Sequence, residues 1–211
     1  MPVALIFDLD GTLADTRADI AASANAALRA VGLEPIPAER ITGFIGDGAS
    51  VLMERCVAGR RELHGAALAA WAAHYGEHLL DTTVLYPGVE ATLAALPGPL
   101  AVLTNKPEGM ARRMLAALGL AGRFQAVIGG DTLPVKKPDP AGVTRILEAT
   151  GAPRGVLIGD STVDLATARA AGIPFWGAGW GFSGAAALRE AGAEVIVERF
   201  EGIAELRRGV R

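Results

Sequence analysis

The sequence predicts an α/β protein: a Rossmann-like parallel sheet core with helices on both faces, plus an inserted all-helical domain. Three observations predict it. Val3–Phe7 is an apolar run of strand length near the start. Later runs of the same kind, at Leu100–Leu103, Ala126–Ile128, Val156–Ile158, Phe175–Trp176 and Val195–Val197, alternate with amphipathic helical stretches, the pattern of a parallel sheet with helical crossovers. Between these two regions, Asp15 to about Leu80 reads as helix without strands. The predicted division is a discontinuous core, 1–14 with 82–211, and an insertion over 15–81.

Each element has a local reason. Val3–Phe7 ends in Asp8-Leu9-Asp10-Gly11-Thr12, a strand followed by a turn. Side chains alternate along a strand, so Asp8 and Asp10 face the same side if the chain stays extended. Two like charges that close resist desolvation, and a compensating cation or a shared proton is expected. Asp15 or Thr16 can cap a helix running to Val31, with Gly32 at the position where a terminating glycine belongs. Glu34-Pro35-Ile36-Pro37 is a turn, and further helices are expected over Ala49–Val57 and Leu63–Leu80. The Ala-rich stretch 65–73 suits a packed helix. An insertion directly after the first strand would sit above the C-terminal edge of the sheet, where open α/β sheets bind ligands. It is therefore expected to act as a mobile lid, hinged near Asp15 and Leu80.

Composition narrows the function. Of 211 residues, 51% are apolar, ample for a core. The net charge is −3 with no basic run, which argues against a nucleic-acid partner. No stretch approaches the roughly 20 apolar residues of a spanning helix, which argues against a membrane partner. The start of the sequence lacks a basic n-region and does not read as a signal peptide. Cys56 is the single cysteine, fits a reducing compartment and reads as a buried helix residue. The expectation is a cytoplasmic monomer or homodimer. Positive charge is carried by 17 arginines and only three lysines, Lys106, Lys136 and Lys137. Lysine is a compact point charge suited to a phosphate oxygen, and here it is confined to one region.

The strand ends supply a common set of polar groups. Asp8 and Asp10 follow the first strand, and Thr104-Asn105-Lys106-Pro107 follows Leu100–Leu103. Lys136-Lys137-Pro138 comes after Ala126–Ile128, and Gly159-Asp160-Ser161-Thr162-Val163-Asp164 follows Val156–Ile158. In a parallel sheet all four project from one edge. Phosphoryl transfer needs such a set. Carboxylates and water are the ligands Mg²⁺ prefers, a carboxylate can attack to form an aspartyl phosphate, and a second carboxyl can protonate the leaving alcohol. A lysine and a hydroxyl or amide can hold the phosphoryl oxygens as charge spreads over them.

These segments, D-L-D-G-T-L, Thr104, Lys137-Pro138 and G-D-S-x-x-D, resemble in order the four motifs of the haloacid dehalogenase superfamily. Asp10 matches its phosphatase branches, since true dehalogenases lack that acid. The resemblance implies that Asp8 is the nucleophile and Asp10 the general acid/base. It implies that Thr104, Asn105 and Lys137 bind the phosphoryl group. Mg²⁺ would rest on Asp8, the Asp10 main-chain carbonyl and Asp160, with Asp164 supporting them from behind.

Longer stretches, F-I-G-D-G-A-S-V-L-M-E-R from Phe44, Y-P-G-V-E-A-T-L from Tyr86, T-N-K-P from Thr104 and G-G-D-T-L-P-V-K-K-P-D-P from Gly129, resemble the bacterial phosphoglycolate phosphatases. That implies a helical cap whose Gly46-Asp47-Gly48 turn faces the substrate, and 2-phosphoglycolate as the small phosphorylated metabolite cleaved. Arg17 and Arg55 are cap candidates for the substrate carboxylate by position. A phosphosugar mutase, a phosphatase for another sugar or amino-sugar phosphate, and a receiver-like phospho-Asp module remain alternatives. A receiver would carry its phospho-accepting Asp on a mid-chain strand, without a helical insertion. His74-Tyr75-Gly76-Glu77-His78 fits the H-x-x-E-H zinc pattern, but it lies in the helical insertion, carries a glycine and lacks a third ligand. The Gly-rich run from Gly177, with Trp180 and Phe182, is read as a packing loop rather than a nucleotide site, because its glycine spacing is wrong.

Overall fold

The computed structural model describes residues 2–209. In chain order the elements are β1 (Val3–Phe7), β2 (Ala14–Asp15), α1 (Arg17–Ala30), α2 (Ala38–Thr42), α3 (Ala49–Cys56), α4 (Arg61–Glu77) and β3 (Val84–Leu85). An alternation follows: α5 (Val89–Ala95), β4 (Leu100–Leu103), α6 (Glu108–Ala117), β5 (Ala126–Ile128), α7 (Ala141–Thr150), β6 (Arg154–Gly159), α8 (Thr162–Ala171), β7 (Phe175–Ala178), α9 (Gly184–Glu190), β8 (Val195–Val197) and α10 (Gly202–Gly209). The chain separates into two compact units, Met1–Asp15 with Leu85–Arg211, and Thr16–Val84. No helix among the described residues is long and apolar enough to cross a membrane.

The first unit is built on a six-stranded sheet in the order β5-β4-β1-β6-β7-β8, with every pairing parallel. β1 is central and all five of its residues are buried, so it reads as a continuous apolar run rather than an alternating one. Ala4 and Ile6 join Leu103, Val143, Ile146, Leu157 and Leu165 in one core cluster. Phe7, on the opposite face, packs against Phe200 at 5.9 Å and Phe124 at 6.3 Å. Full burial of each large apolar side chain stabilises by about 1.5–3 kcal/mol. The chain leaves β1 for β4 on one side and returns to β6 on the other. That reversal places β1 at the topological switch point, outside whose carboxyl end open α/β sheets form their binding crevice.

The second unit is helical. Ile20, Ala24, Ala27 and Leu28 of α1 are buried, as are Ala67, Trp71 and Tyr75 of α4, whose two rings stack at 4.7 Å. Cys56 is a free, buried cysteine in α3. Burial holds its thiol up to about 11 despite the Arg40 charge.

Several local expectations need correction. Thr16 occupies the cap position of α1 but its side chain makes no cap hydrogen bond. The acid that organises this end is Asp19, whose carboxylate accepts from Thr82 and Thr83. The last helix of the insertion runs Arg61–Glu77 rather than 63–80, because His78 turns out of helical geometry and its ring contacts Asp81 at 2.8 Å. The short α2 directly follows the proline turn. That turn is held to α1 by Asn25, which donates to the Ile36 carbonyl and accepts from its N–H.

Candidate active site

Four strand ends of the first unit meet at one place. At the end of β1, Asp8 continues the ladder by donating its N–H to the Ile158 carbonyl at 2.9 Å. The chain then turns tightly, with Leu13 and Ala14 both donating to Leu9 O and Gly11 donating to Ala14 O. Gly11 has φ +82°, and a Cβ there would strike the Asp160 carboxylate. Only glycine fits that approach.

Asp8 is nearly fully buried, and its two oxygens differ. Oδ1 accepts the Leu9 N–H at 2.7 Å and lies 2.9 Å from Lys137 Nζ. Oδ2 has no hydrogen-bond partner among the described residues. Lys137 Nζ also donates to Asp164 Oδ1 at 2.6 Å. Asp164 Oδ2 accepts the N–H and hydroxyl of Ser161, which caps α8 in return. Asp160 Oδ2 accepts the Phe182 N–H at 2.7 Å. Thr12 Oγ1 stands 3.5 Å from Asp160 Oδ1. Asn105 Nδ2 donates to the Lys137 carbonyl at 3.0 Å, and Thr104 is buried at the end of β4. Asp10 faces a lysine of its own: Lys106 Nζ donates to its Oδ1 at 2.8 Å and Oδ2 at 3.0 Å.

Oxygens of Asp8, Asp160 and Asp164 lie within 4.8 Å of one another. Burial, above all, raises the Asp8 carboxyl to about 7; Lys137 pulls it down, while Asp164 and Asp10 push it further up. Asp160 is held well above the usual carboxylate range by burial, then by the Asp164 and Asp8 charges. Burial alone would push the Lys137 ammonium down, but Asp164 and Asp8 reverse this and leave it raised. Three buried carboxylates thus share one ammonium. The excess negative charge and the all-oxygen donor set fit a hard divalent cation such as Mg²⁺.

Within the helical unit, Arg55 lies 2.6 Å from Asp47 and donates to the Phe44 carbonyl at 3.2 Å. Gly46 and Gly48 have φ of +126° and +89°, and Arg17 is exposed at the start of α1. The His74 and His78 rings stack at 4.2 Å, with His74 bonded to Ser23 and His78 to Asp81.

Sequence reasoning assigned no role to Lys106, Ser161 or the Phe182 N–H. The scarcity of lysine pointed toward Lys106, and Ser161-x-x-Asp164 is a legible capping box. The Phe182 contact spans 22 residues and has no local signature. It is delivered by the loop after β7, where Trp180 donates to the Thr12 carbonyl at 3.0 Å and packs against Phe200.

Residues 5–178 match the profile of the haloacid dehalogenase-like hydrolase family. The chain belongs to this family. Among curated relatives, a phosphoglycolate phosphatase of Chromobacterium violaceum is 39% identical over 214 residues, covering 96% of this chain and 94% of that one. A phosphoglycolate phosphatase of Cereibacter sphaeroides is 42% identical over 179 residues, covering 81% and 82%. Among solved structures, a haloacid dehalogenase-like family hydrolase from Streptococcus pneumoniae superposes with a TM-score of 0.86 at 25% identity, covering 97% and 98%. The buried acids Asp8 and Asp160 of this haloacid dehalogenase-like hydrolase lie at the ends of strands β1 and β6 of its parallel sheet.

Proposed function

We propose that this hydrolase is a Mg²⁺-dependent phosphatase of small cytoplasmic phosphomonoesters, cleaving 2-phosphoglycolate to glycolate and phosphate through an aspartyl-phosphate intermediate. The observation that carries the reading is the asymmetry of Asp8. One oxygen is held by Leu9 N–H and Lys137, and the other is left without a protein partner, as a nucleophile requires.

Asp8 Oδ2 attacks phosphorus while the ester P–O bond breaks and Asp10 gives its proton to the leaving oxygen. A water then gives a proton to Asp10 and attacks the same phosphorus. The Asp8–phosphate bond breaks, and phosphate leaves with Asp8 restored. Lys137 uses two N–H groups on Asp8 and Asp164, so its third can hold a phosphoryl oxygen, with Thr104 and Asn105 completing the cradle. Asp8, the Asp10 carbonyl and Asp160 would hold Mg²⁺, which when bound draws charge from the phosphoryl oxygens; Asp164 orients Lys137 from behind.

The substrate assignment is supported by the names of the curated relatives and by the cap-region resemblance. On this reading residues 15–81 form the cap, and the Gly46-Asp47-Gly48 turn, with Arg17 and Arg55, contributes substrate recognition. The test is Mg²⁺-dependent phosphate release from a panel of 2-phosphoglycolate, hexose phosphates, amino-sugar phosphates and pyrophosphate. A kcat/KM highest for 2-phosphoglycolate supports the full reading. Higher values elsewhere keep the phosphatase and discard the substrate. Turnover that requires a bisphosphate activator would replace hydrolysis with a mutase reaction.

A further inference from the structure

Lys106 lies two residues beyond Thr104 in the turn that leaves β4, and the reaction above uses it nowhere. Its side chain is only 3% exposed, and its ammonium contacts both oxygens of Asp10. Burying an ammonium costs several kcal/mol unless it is paired and hydrogen-bonded. Here the partner is Asp10, an active-site acid that Lys137 does not contact. The two buried lysines therefore take different acids, Lys137 on Asp8 and Asp164 and Lys106 on Asp10, while Asp160 contacts neither.

The turn carrying Lys106 is fixed from several directions. Its N–H donates to Thr104 Oγ1 at 3.2 Å, and its carbonyl accepts from Gly130 N at 2.9 Å. The adjacent Asn105 donates to the Lys137 carbonyl. A Cβ at Gly130 would collide with the Asn105 backbone, so the two loops approach as closely as a glycine allows. Asp10 is itself held at the backbone by its bridge with Ala14. The carboxylate of an aspartate turns about a broad, roughly two-fold torsion. Two contacts from one anchored ammonium restrict that rotation.

We propose that Lys106 is a positioning residue for the leaving-group step, holding the Asp10 carboxylate in the orientation from which its proton reaches the leaving oxygen. The competing roles, a grip on the phosphoryl group or on a substrate carboxylate, predict a different dependence on the leaving group. When one Asp10 oxygen carries the proton, the other keeps the Lys106 contact, and Lys106 neither gains nor loses a proton. The proposal rests on the assignment of Asp8 as nucleophile and Asp10 as acid/base.

The experiment compares kcat/KM of wild type, Lys106→Met, Asp10→Asn and the double variant on three esters: 2-phosphoglycolate, glycerol 2-phosphate and p-nitrophenyl phosphate. The first two release basic alkoxides that need a proton, and the third releases a phenolate that does not. General acid catalysis contributes about 10²–10⁴-fold. The expected result for Lys106→Met is a loss of about 100-fold on both alkyl esters and less than about 5-fold on the aryl ester, within the lower part of that range. In the Asp10→Asn background, Lys106→Met should cost less than about threefold more, because residues acting through one another are non-additive. That variant pair also removes the buried charge imbalance that could unfold the single variant. Equal losses on all three esters, or a loss confined to 2-phosphoglycolate, overturns the proposal in favour of phosphoryl or carboxylate binding. So does full additivity or no loss at all. Turnover by Asp8→Asn would instead overturn the covalent reading beneath it.

Discussion

Removing Asp19 should weaken the helical unit. Its buried carboxylate accepts from four donors: the Thr82 N–H at 3.0 Å to each oxygen, the Thr82 hydroxyl at 2.6 Å, the Thr83 N–H at 2.9 Å and the Thr83 hydroxyl at 2.7 Å. Asp19→Ala strands these donors unequally. Thr82 is exposed and water can replace the acid, whereas Thr83 is 6% exposed. Each buried donor left unsatisfied costs about 1–3 kcal/mol. With two such donors on Thr83 the loss is about 3 kcal/mol, and a melting temperature lower by about 6–12 °C is expected for a chain of this size. Burial works to raise the Asp19 carboxyl, but the hydrogen bonds from Thr82 and Thr83 outweigh it and hold it below its usual 3.8. A depressed folded value means that the stabilisation is present above the unfolded value and is lost as pH falls through the folded one. The gap between wild type and Asp19→Asn should therefore close in acid. Thermal unfolding, with hydrogen exchange at the Thr83 amide as the local readout, tests this. A loss below about 0.5 kcal/mol, within the range of an ordinary surface substitution, or unchanged exchange at Thr83, would refute the reasoning.

Two further predictions concern the acid cluster. Asp8→Asn should abolish turnover and leave the fold intact. In metal-free buffer it should also melt a few degrees above wild type near pH 7, since a buried carboxylate raised to about 7 opposes folding once ionised. Between 3.8 and about 7 the folded state binds more protons at Asp8 than the unfolded state, so metal-free wild type should lose stability as pH rises through that window. Melting curves across pH, with and without Mg²⁺, would show the slope shrinking in the variant and on adding the ion; an unchanged slope in both cases contradicts the assignment. Gly181→Ala places a methyl group against Asp160 Cβ and the Gly11 carbonyl. Overpacking of this kind costs about 1–3 kcal/mol, and displacement of Asp160 should raise the Mg²⁺ concentration for half-maximal activity at least about tenfold, the effect of disturbing a ligand's support. Unchanged Mg²⁺ dependence would show that the loop after β7 yields instead.

Much of the fold was legible because its signals are local. β1, β4, β5 and β8 occupy the apolar runs that announced them, since a strand buried on both faces must be continuously apolar. β2, β3 and α2 were not legible. They are too short for any period to show, and pairing or anchoring by distant residues defines them. The end of α4 was misplaced because the side chain of His78, not a glycine or proline, closes it.

By itself the sequence determined which chemistry is present: acids, a hydroxyl and scarce lysines, each at the end of a strand run. Alternation of strand and helix also required those ends to share an edge, because parallel strands all point the same way. Only the tertiary structure decided how the charges are shared. Which lysine faces which acid, and which oxygen of Asp8 is left open, depends on contacts between segments as distant as Asp10 and Lys106 or Asp160 and Phe182. Nothing in a local stretch encodes such a pairing. It follows from strand order and from glycines that let the loops approach within contact distance of the acids they hold.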